Sequence, residues 1–502
     1  MQTSILFFFP MKSYKSLFPP VLLLVSLLGV YLASLAPGLT WAHFGADGGD
    51  LITAAATGGI AHPSGYPTYL LLARLFQLLP FGSLAYRTNL LSTCAAALAA
   101  LFAYLLMKQR LPGADSWLKM LGALATSYAL GLAPLFWSQA LIAEVYTLHI
   151  FFVILLLFLS FGLRPAHATE WRSDLVSGLA LGFALGNHLT SLMLTPIVLG
   201  VTFRSWRPDL SRLSLRLAGL ALGSLVYLIL PLSALSDPPL NWGNPASVDG
   251  FSWLVSAQLY RGQLALLPLP ALLERISAVA ALLWGQFGLP GLLLGLTGLV
   301  SGRLPVGLQR SLLWISSGSI VFALIYTTSD SFLYLLPAIL SFALWIGAGL
   351  HWFSEIISER WPRAAGWIGI FFLLFVFWQA GMNWPQVDAS ADLRAEEFGE
   401  QVLATVPANA LIVAEGDQAV FALWYFHFAL GQRPDLVIVA GDLLHFPWYL
   451  ETLQTTYPSL KIPGSYPFPQ ALIIANSDRP TCTVRYERWI QLYCQPALGL
   501  GQ

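Results

Sequence analysis

Runs of membrane length, separated by short charged breaks, fill this sequence from residue 17 to residue 382. A helix needs about 20 apolar residues to cross the hydrocarbon core of a bilayer. Read on that rule, spans fall at 17–37, 84–107, 117–136, 142–163, 172–187, 189–204, 213–235, 274–300, 311–327, 331–350 and 365–382. Only 10 % of the residues are charged, where a soluble domain carries about 25 %. The chain is therefore expected to be a multi-span α-helical membrane protein with about 11 transmembrane helices. Its 25 basic and 25 acidic residues cancel without forming a basic block, so no nucleic-acid partner is implied. The first run, behind Lys12 and Lys15, exceeds the roughly 7–15-residue core of a signal peptide and reads as a retained signal-anchor.

Positive charge sets the orientation, because Lys and Arg accumulate in cytoplasmic loops. With the N-terminus inside, the inner loops hold Lys12, Lys15, Lys108, Arg110, Lys119, Arg164, Arg172, Arg204, Arg207, Arg212, Arg216, Arg303, Arg310, Arg360 and Arg363. The outer ones hold Arg74, Arg87, Arg261 and Arg275. The stretch 173–203 is broken only at Asn187-His188. As one helix it would be about 46 Å long and would put Arg172 and Arg204 on opposite sides. Two short helices reversing at Asn187-His188 keep both arginines inside, and interrupted spans tend to line cavities.

The outer face then collects the remaining polar groups. Asp47-Gly-Gly-Asp50 and His62-Pro-Ser-Gly-Tyr66-Pro67 lie in a first outer loop, 38–83, rich in glycine and proline. A carboxylate there can act as general base towards a hydroxyl, or the segment can be a solvated connector. Glu144, Tyr146 and His149 form a polar cluster at a span boundary, where an ionisable group costs less than at the bilayer centre; Glu144 could equally complement a helix dipole. His188 is a cavity group or an interhelical hydrogen-bonder. Arg74, Arg87 and Arg261 could grip a phosphate or pair with nearby acids. Tyr260 adjoins Arg261, and Asp330 sits at the tip of a short loop or in a plain turn.

After residue 382 the pattern changes to strands alternating with helices. Strands are expected at 410–414, 435–440 and 471–475, and helices at 388–400, 419–430 and 447–456. That order predicts a small α/β domain with a parallel sheet, 383–502, placed outside the membrane beside a polytopic domain, 1–382. Asp417 and Asp442 follow the first two strands, where open α/β sheets bind ligands, although turn formation explains them as well. Cys482 and Cys494 could close a disulfide worth roughly 3 kcal/mol, and Cys94 reads as a small core residue. No Cys/His spacing resembles a zinc site.

Taken in order, these segments resemble a known family. The stretches are Asp47-Gly-Gly-Asp50, His62 to Pro67, Arg87-Thr-Asn-Leu-Leu91, Glu144-Val-Tyr-Thr-Leu-His149, Gly186-Asn-His-Leu-Thr190 and Asn244-Pro to Tyr260-Arg261. Asp330 to Pro337, Leu423-Trp-Tyr425, Arg433-Pro-Asp435 and Pro447-Trp-Tyr449 follow. The set is similar to a polytopic family that includes an animal transmembrane protein O-mannosyltransferase, itself similar to the C-type glycosyltransferases. The resemblance implies a multi-span glycosyltransferase fold and an inverting transfer of a sugar, mannose first, from a polyprenyl-phosphate donor to a protein or other hydroxyl acceptor. It implies Asp47 as base, with Asp50 standing where relatives commonly have Glu. His62, Tyr66, Glu144, His149, Asn187, His188, Tyr260 and Asp330 would line the site, with Arg74, Arg87 or Arg261 on the phosphate. No resident cofactor is implied, and a divalent metal is allowed but not expected.

Two other classes compete. A transporter or flippase should carry midplane charges and paired repeats, neither of which the sequence shows. A non-catalytic scaffold presenting the tail would leave Asp47, Glu144 and His188 far apart. Of the membranes that fit an outer active site, a bacterial cytoplasmic membrane is expected ahead of the endoplasmic reticulum.

Overall fold

A computed structural model describes residues 17–113, 116–162, 170–200, 203–204, 207–464 and 468–497. Lys12, Lys15 and Arg164 of the topology argument lie outside the described residues, as does the side chain of Arg204. Helices occupy each of the expected spans. Among the described residues six are long and apolar enough to cross a membrane: Leu84–Arg110, Leu210–Ala234, Leu269–Val300, Val306–Ile325, Ser331–Arg360 and Ala364–Val387.

Burial sorts these helices. Leu84–Arg110 is central, and its buried alanines at 95, 96, 97, 99, 100 and 103 let neighbouring helices approach closely. Leu336–Arg360 is likewise buried along one continuous stretch from Leu336 to Leu350. Leu269–Val300 and Ala364–Val387 turn large apolar side chains such as Trp284 and Trp378 outward, as lipid-facing helices do.

The interruption at Asn187-His188 is present. The Glu170–Asn187 helix ends there, His188 is extended, a 3-10 turn runs over Leu189–Leu194, and a helix resumes at Thr195–Gly200. The chain folds back on itself, and one side chain shows it. Buried Arg216 donates from Nε to Asp174 Oδ1 at 2.7 Å and from Nη1 to the Val198 carbonyl, so residues 174 and 198 lie at the same end. Arg212 reaches the same carboxylate, at 2.8 Å and 3.1 Å. Small residues fix the packing beside this triad. A side chain at Gly178 would come within 2.0 Å of the Arg216 carbonyl oxygen, and one at Gly223 within 2.3 Å of that of Leu179. The spacing Gly178-x-x-x-Gly182 against Gly219-x-x-x-Gly223 is the small-residue contact of membrane helices.

The expected first outer loop is not a loop. It contains two helices, Gly48–Thr57 and Pro67–Gln77: Gly58, left-handed with φ of 70°, ends the first, and Pro67 pre-sets the first turn of the second.

The tail forms a four-stranded sheet in the order Val437–Ala440, Leu411–Glu415, Thr481–Tyr486, Ile490–Gln495. The first three strands are parallel and the last is antiparallel. Residues 471–475, expected as a strand, instead lie in the Pro469–Ala475 helix. An apolar run of five fits either state, and Pro469 in the first turn favours helix. The helix expected at 388–400 runs over Arg394–Thr405, because Asp392 is committed elsewhere: its carboxylate accepts from Thr40 Oγ1 at 2.5 Å and from the Trp41 N–H at 3.1 Å. Cys482 and Cys494 face each other across the last two strands as a disulfide.

Candidate active site

The tail docks on the segment that carries Asp47. Trp41 packs against Phe398 at 5.3 Å and Tyr486 at 4.3 Å. Gly49 meets the tail so closely that a side chain there would lie 2.5 Å from the Phe421 carbonyl oxygen. Between them His43 and Phe44 adopt left-handed backbone angles, with φ of 54° and 65°. Such a conformation persists only where its surroundings over-determine it. Here His43 Nε2 donates to the Val387 carbonyl at 2.7 Å, Gln139 donates to the His43 carbonyl at 3.1 Å, and Phe44 packs on Phe332 at 5.2 Å. Asp47 therefore leaves a rigid turn to begin the Gly48–Thr57 helix.

One turn further on, Asp50 is fully buried and accepts three hydrogen bonds. They come from the His62 backbone N–H at 2.9 Å, His62 Nδ1 at 2.8 Å and Trp242 Nε1 at 3.0 Å. A buried carboxylate is tolerated only with such partners. Trp242 is delivered by a bridge between Ile60 and Asn241, with the Ile60 N–H on the Leu240 carbonyl at 2.8 Å. Because Nδ1–H is given to Asp50, the other nitrogen, Nε2, turns to Asp47 at 3.6 Å.

This geometry sets the protonation states. Burial opposes a charge on His62, but Asp47 and Asp50 outweigh it and hold the imidazole up at about 9. Burial pushes Asp47 up to about 6, with His62 pulling the other way and Asp417, Asp50 and Asp330 adding to the rise. At neutral pH the arrangement is thus an imidazolium between two carboxylates. Asp50 is spent on holding His62, whereas 40 % of the Asp47 side chain is exposed.

Asp47 opens into a cavity of about 760 Å³ between the bundle and the tail. Ligand sites run to about 300–1,000 Å³. Its wall includes Asp47, His62, Tyr66, Tyr146, His188, Tyr260, Arg261 and Asp330. Other expected residues stand elsewhere. Asp50 is behind His62. Glu144, buried, accepts from the Val145 N–H at 3.3 Å; Asn187, buried, donates to the Val145 carbonyl at 3.2 Å; neither lines the cavity. His149 does not line the cavity but touches two wall residues, Thr190 at 3.3 Å and His188 ring to ring at 4.8 Å.

Of the three arginines expected as alternatives for the phosphate, two stand away from the cavity. Arg87 donates to the carbonyls of Ser83, Gln77 and Leu79, where it satisfies the end of the Pro67–Gln77 helix. Arg74, exposed in that helix's last turn, does not line the cavity. Both follow the Asp47–Pro67 segment closely in sequence, but the helices that carry them, Pro67–Gln77 for Arg74 and Leu84–Arg110 for Arg87, hold them away from the cavity.

Other residues of the site were left open or unnoticed in the sequence. Asp417, weighed between a ligand position and a turn residue, faces the cavity, and burial pushes its carboxyl up. Asp442 does behave as a turn residue, accepting from the Gly416 N–H at 2.8 Å. Trp242 carried no signal, since its role depends on a contact 192 residues away in the chain. Tyr326 and Tyr334, 5.2 Å apart, add an aromatic wall. Among the described residues no group of three or more His, Cys, Asp or Glu side chains is placed to hold a metal ion.

Comparison with known proteins agrees with the resemblance read from the sequence. Residues 47–210 match the family model described as Protein O-mannosyl-transferase TMEM260 N-terminal domain, and residues 395–473 match TMEM260-associated domain 2. The chain is 28 % identical over 455 residues to protein O-mannosyl-transferase TMEM260 of Mus musculus, covering 84 % of this chain and 62 % of that one. It is 27 % identical over 505 residues to the protein of the same name from Dictyostelium discoideum, covering 89 % and 60 %. The chain thus spans about six-tenths of the length of these curated relatives. Neither organism supports the bacterial membrane expected from the sequence. In structure it is similar to ArnT from Cupriavidus metallidurans bound to undecaprenyl phosphate, with a TM-score of 0.59 at 14 % identity over 94 % of this chain and 93 % of that one. It is also similar to the Archaeoglobus fulgidus oligosaccharyltransferase, with a TM-score of 0.53 at 11 % identity over 93 % and 68 %. These two likenesses establish the fold, which this chain shares with those two proteins.

Proposed function

From its kinship with the protein O-mannosyl-transferases, we propose that this chain is a glycosyltransferase that moves a mannose from a polyprenyl-phosphate donor to a hydroxyl of a protein acceptor, with inversion, at the outer face of a membrane. The observation that carries the reading is the Asp50–His62–Asp47 arrangement, which ends at an exposed carboxylate in a cavity roofed by the tail. A relative from the same fold binds undecaprenyl phosphate, and the cavity floor here is lined by apolar Leu189, Leu192 and Met193, a surface suited to a polyprenyl chain.

The steps follow from the groups present. Asp47 takes the proton from the acceptor hydroxyl as its oxygen attacks the anomeric carbon. The bond from that carbon to the phosphate oxygen breaks, and its electron pair leaves with polyprenyl phosphate. Held near 6, Asp47 is ionised at neutral pH yet basic enough to accept the proton. His62 keeps it ionised and aimed. Arg261 is the cation on the wall for the phosphate, and the tail, with Asp417 and Tyr486, holds the acceptor. Eleven spans, an inner N-terminus and an outer tail follow from the fifteen-to-four distribution of basic residues described above.

The test is transfer of labelled mannose from polyprenyl-phosphate mannose by the full-length chain in membranes, read by mass spectrometry of acceptor proteins. Asp47→Asn should cost about 10²- to 10⁴-fold in rate, the usual worth of a general base. Undiminished transfer by that variant would remove Asp47 from its role.

A further inference from the structure

A second line of polar groups ends at the same cavity. His188 caps the 189–194 turn, and its Nδ1 accepts from the Thr190 backbone N–H at 3.4 Å. A ring nitrogen that accepts from an N–H carries no proton, so His188 is neutral with its hydrogen on Nε2. Thr190 Oγ1 lies 2.7 Å from the same Nδ1 and must donate its single hydrogen there. Having spent it, Oγ1 can only accept from His149 Nε2, 3.3 Å away. That fixes the His149 proton on Nε2 and leaves its Nδ1 to accept from Ser191 Oγ at 3.1 Å.

The chain of hydrogen bonds therefore has one direction: Ser191 to His149, to Thr190, to His188. His149 and Ser191 are buried, the two rings lie 4.8 Å apart, and His188 lines the cavity. Among the described residues Nε2 of His188 has no hydrogen-bond partner. A buried series of donors that is satisfied at every link but the last, and whose last link borders a cavity, is built to hold an acceptor there.

We infer that the His188 Nε2–H binds the phosphate of the lipid-linked donor, with Thr190, His149 and Ser191 as positioning residues; this rests on the glycosyltransferase reading above. The cavity wall also carries Asp47, Asp330 and Asp417, which repel a phosphate, whereas His188 offers a neutral N–H donor, with the hydroxyl-bearing rings of Tyr146 and Tyr334 each 5.7 Å from its own. The phosphate gains negative charge as the sugar departs, so a fixed N–H there binds the leaving group more tightly than the substrate. His188 keeps its proton throughout; the only proton that moves is the acceptor's, to Asp47.

The probe is sugar-free polyprenyl phosphate as a competitor of mannose transfer, with polyprenol as the uncharged control. His188→Ala should weaken inhibition by polyprenyl phosphate about ten- to hundredfold, the range for a hydrogen bond to a charged group, and leave inhibition by polyprenol unchanged. Thr190→Val removes the hydroxyl at constant shape and should show part of the loss; Thr190→Ser keeps the hydroxyl and should restore it. Equal inhibition constants for wild type and His188→Ala, or equal loss in both Thr190 variants, would overturn the inference. Wild-type protein that transfers no mannose and binds no polyprenyl phosphate would instead overturn the functional reading beneath it.

Discussion

Replacing His62 with Gln tests the electrostatic design most directly, because the charge is lost while a hydrogen-bonding side chain remains. In the intact protein the carboxylate of Asp47 must be free and the imidazole of His62 protonated. Activity should then rise with pH through about 6, where Asp47 ionises, and fall again through about 9, where His62 loses its proton. The result is a bell-shaped profile of kcat/KM. Nε2 of His62 lies 3.6 Å from the Asp47 carboxylate. At an effective dielectric constant of 20 two unit charges so placed attract by about 4–5 kcal/mol, and in water by about 1 kcal/mol. Asp47 is 40 % exposed, so solvent screening brings the figure to the low end, about 1 kcal/mol. Since His62 pulls the Asp47 carboxyl down, its removal raises it, and the acid limb should move up by about one pH unit. The alkaline limb should vanish, because its titrating group is gone. The assay is initial rate of mannose transfer against pH at limiting donor. An acid limb that stays at the wild-type pH in His62→Gln would refute the coupling of the two side chains.

Two further outcomes separate site from scaffold. Arg261→Ala should raise the donor KM about tenfold, with a dependence on salt expected of an exposed cation, whereas Arg87→Ala should leave that KM alone and lower the thermal midpoint, because the Gln77 and Leu79 carbonyls lose the guanidinium that they accept from; the reverse pattern would exchange their roles. Gly49→Ala places a methyl group against the Phe421 carbonyl, an overpacking that costs about 1–3 kcal/mol, so the tail should become more sensitive to protease; an unchanged digestion pattern would mean that Gly49 does not seat the tail.

Much of this architecture was legible in the chain because its signals are local. The length of each apolar run and the uneven placement of Lys and Arg give helices in every expected segment, and the break at Asn187-His188 announces itself by two polar residues in an apolar stretch. The tail's first two strands and the Pro447–Thr456 helix follow from short-range pattern. Residues 471–475 did not, since five apolar residues suit a strand and a buried helix equally. The site shows the same division. Asp47 and His62 stand out as polar groups in a glycine-rich segment, but Arg74 and Arg87 stand out just as clearly and lead elsewhere.

By itself the sequence determined that this chain is built for a membrane and where its apolar helices fall, and it led to the expectation that one face gathers carboxylates and histidines, because hydrophobicity and charge act through the solvent and need no partner. Only the tertiary structure decided what each polar group does. Asp50 became a holder of His62 because Trp242, far along the chain, arrives to complete its hydrogen bonds. Asp47 was left exposed to a cavity that exists only once the tail docks on Gly49. Hydrogen-bond direction and the local dielectric are properties of neighbours in space, and those neighbours are set by the fold.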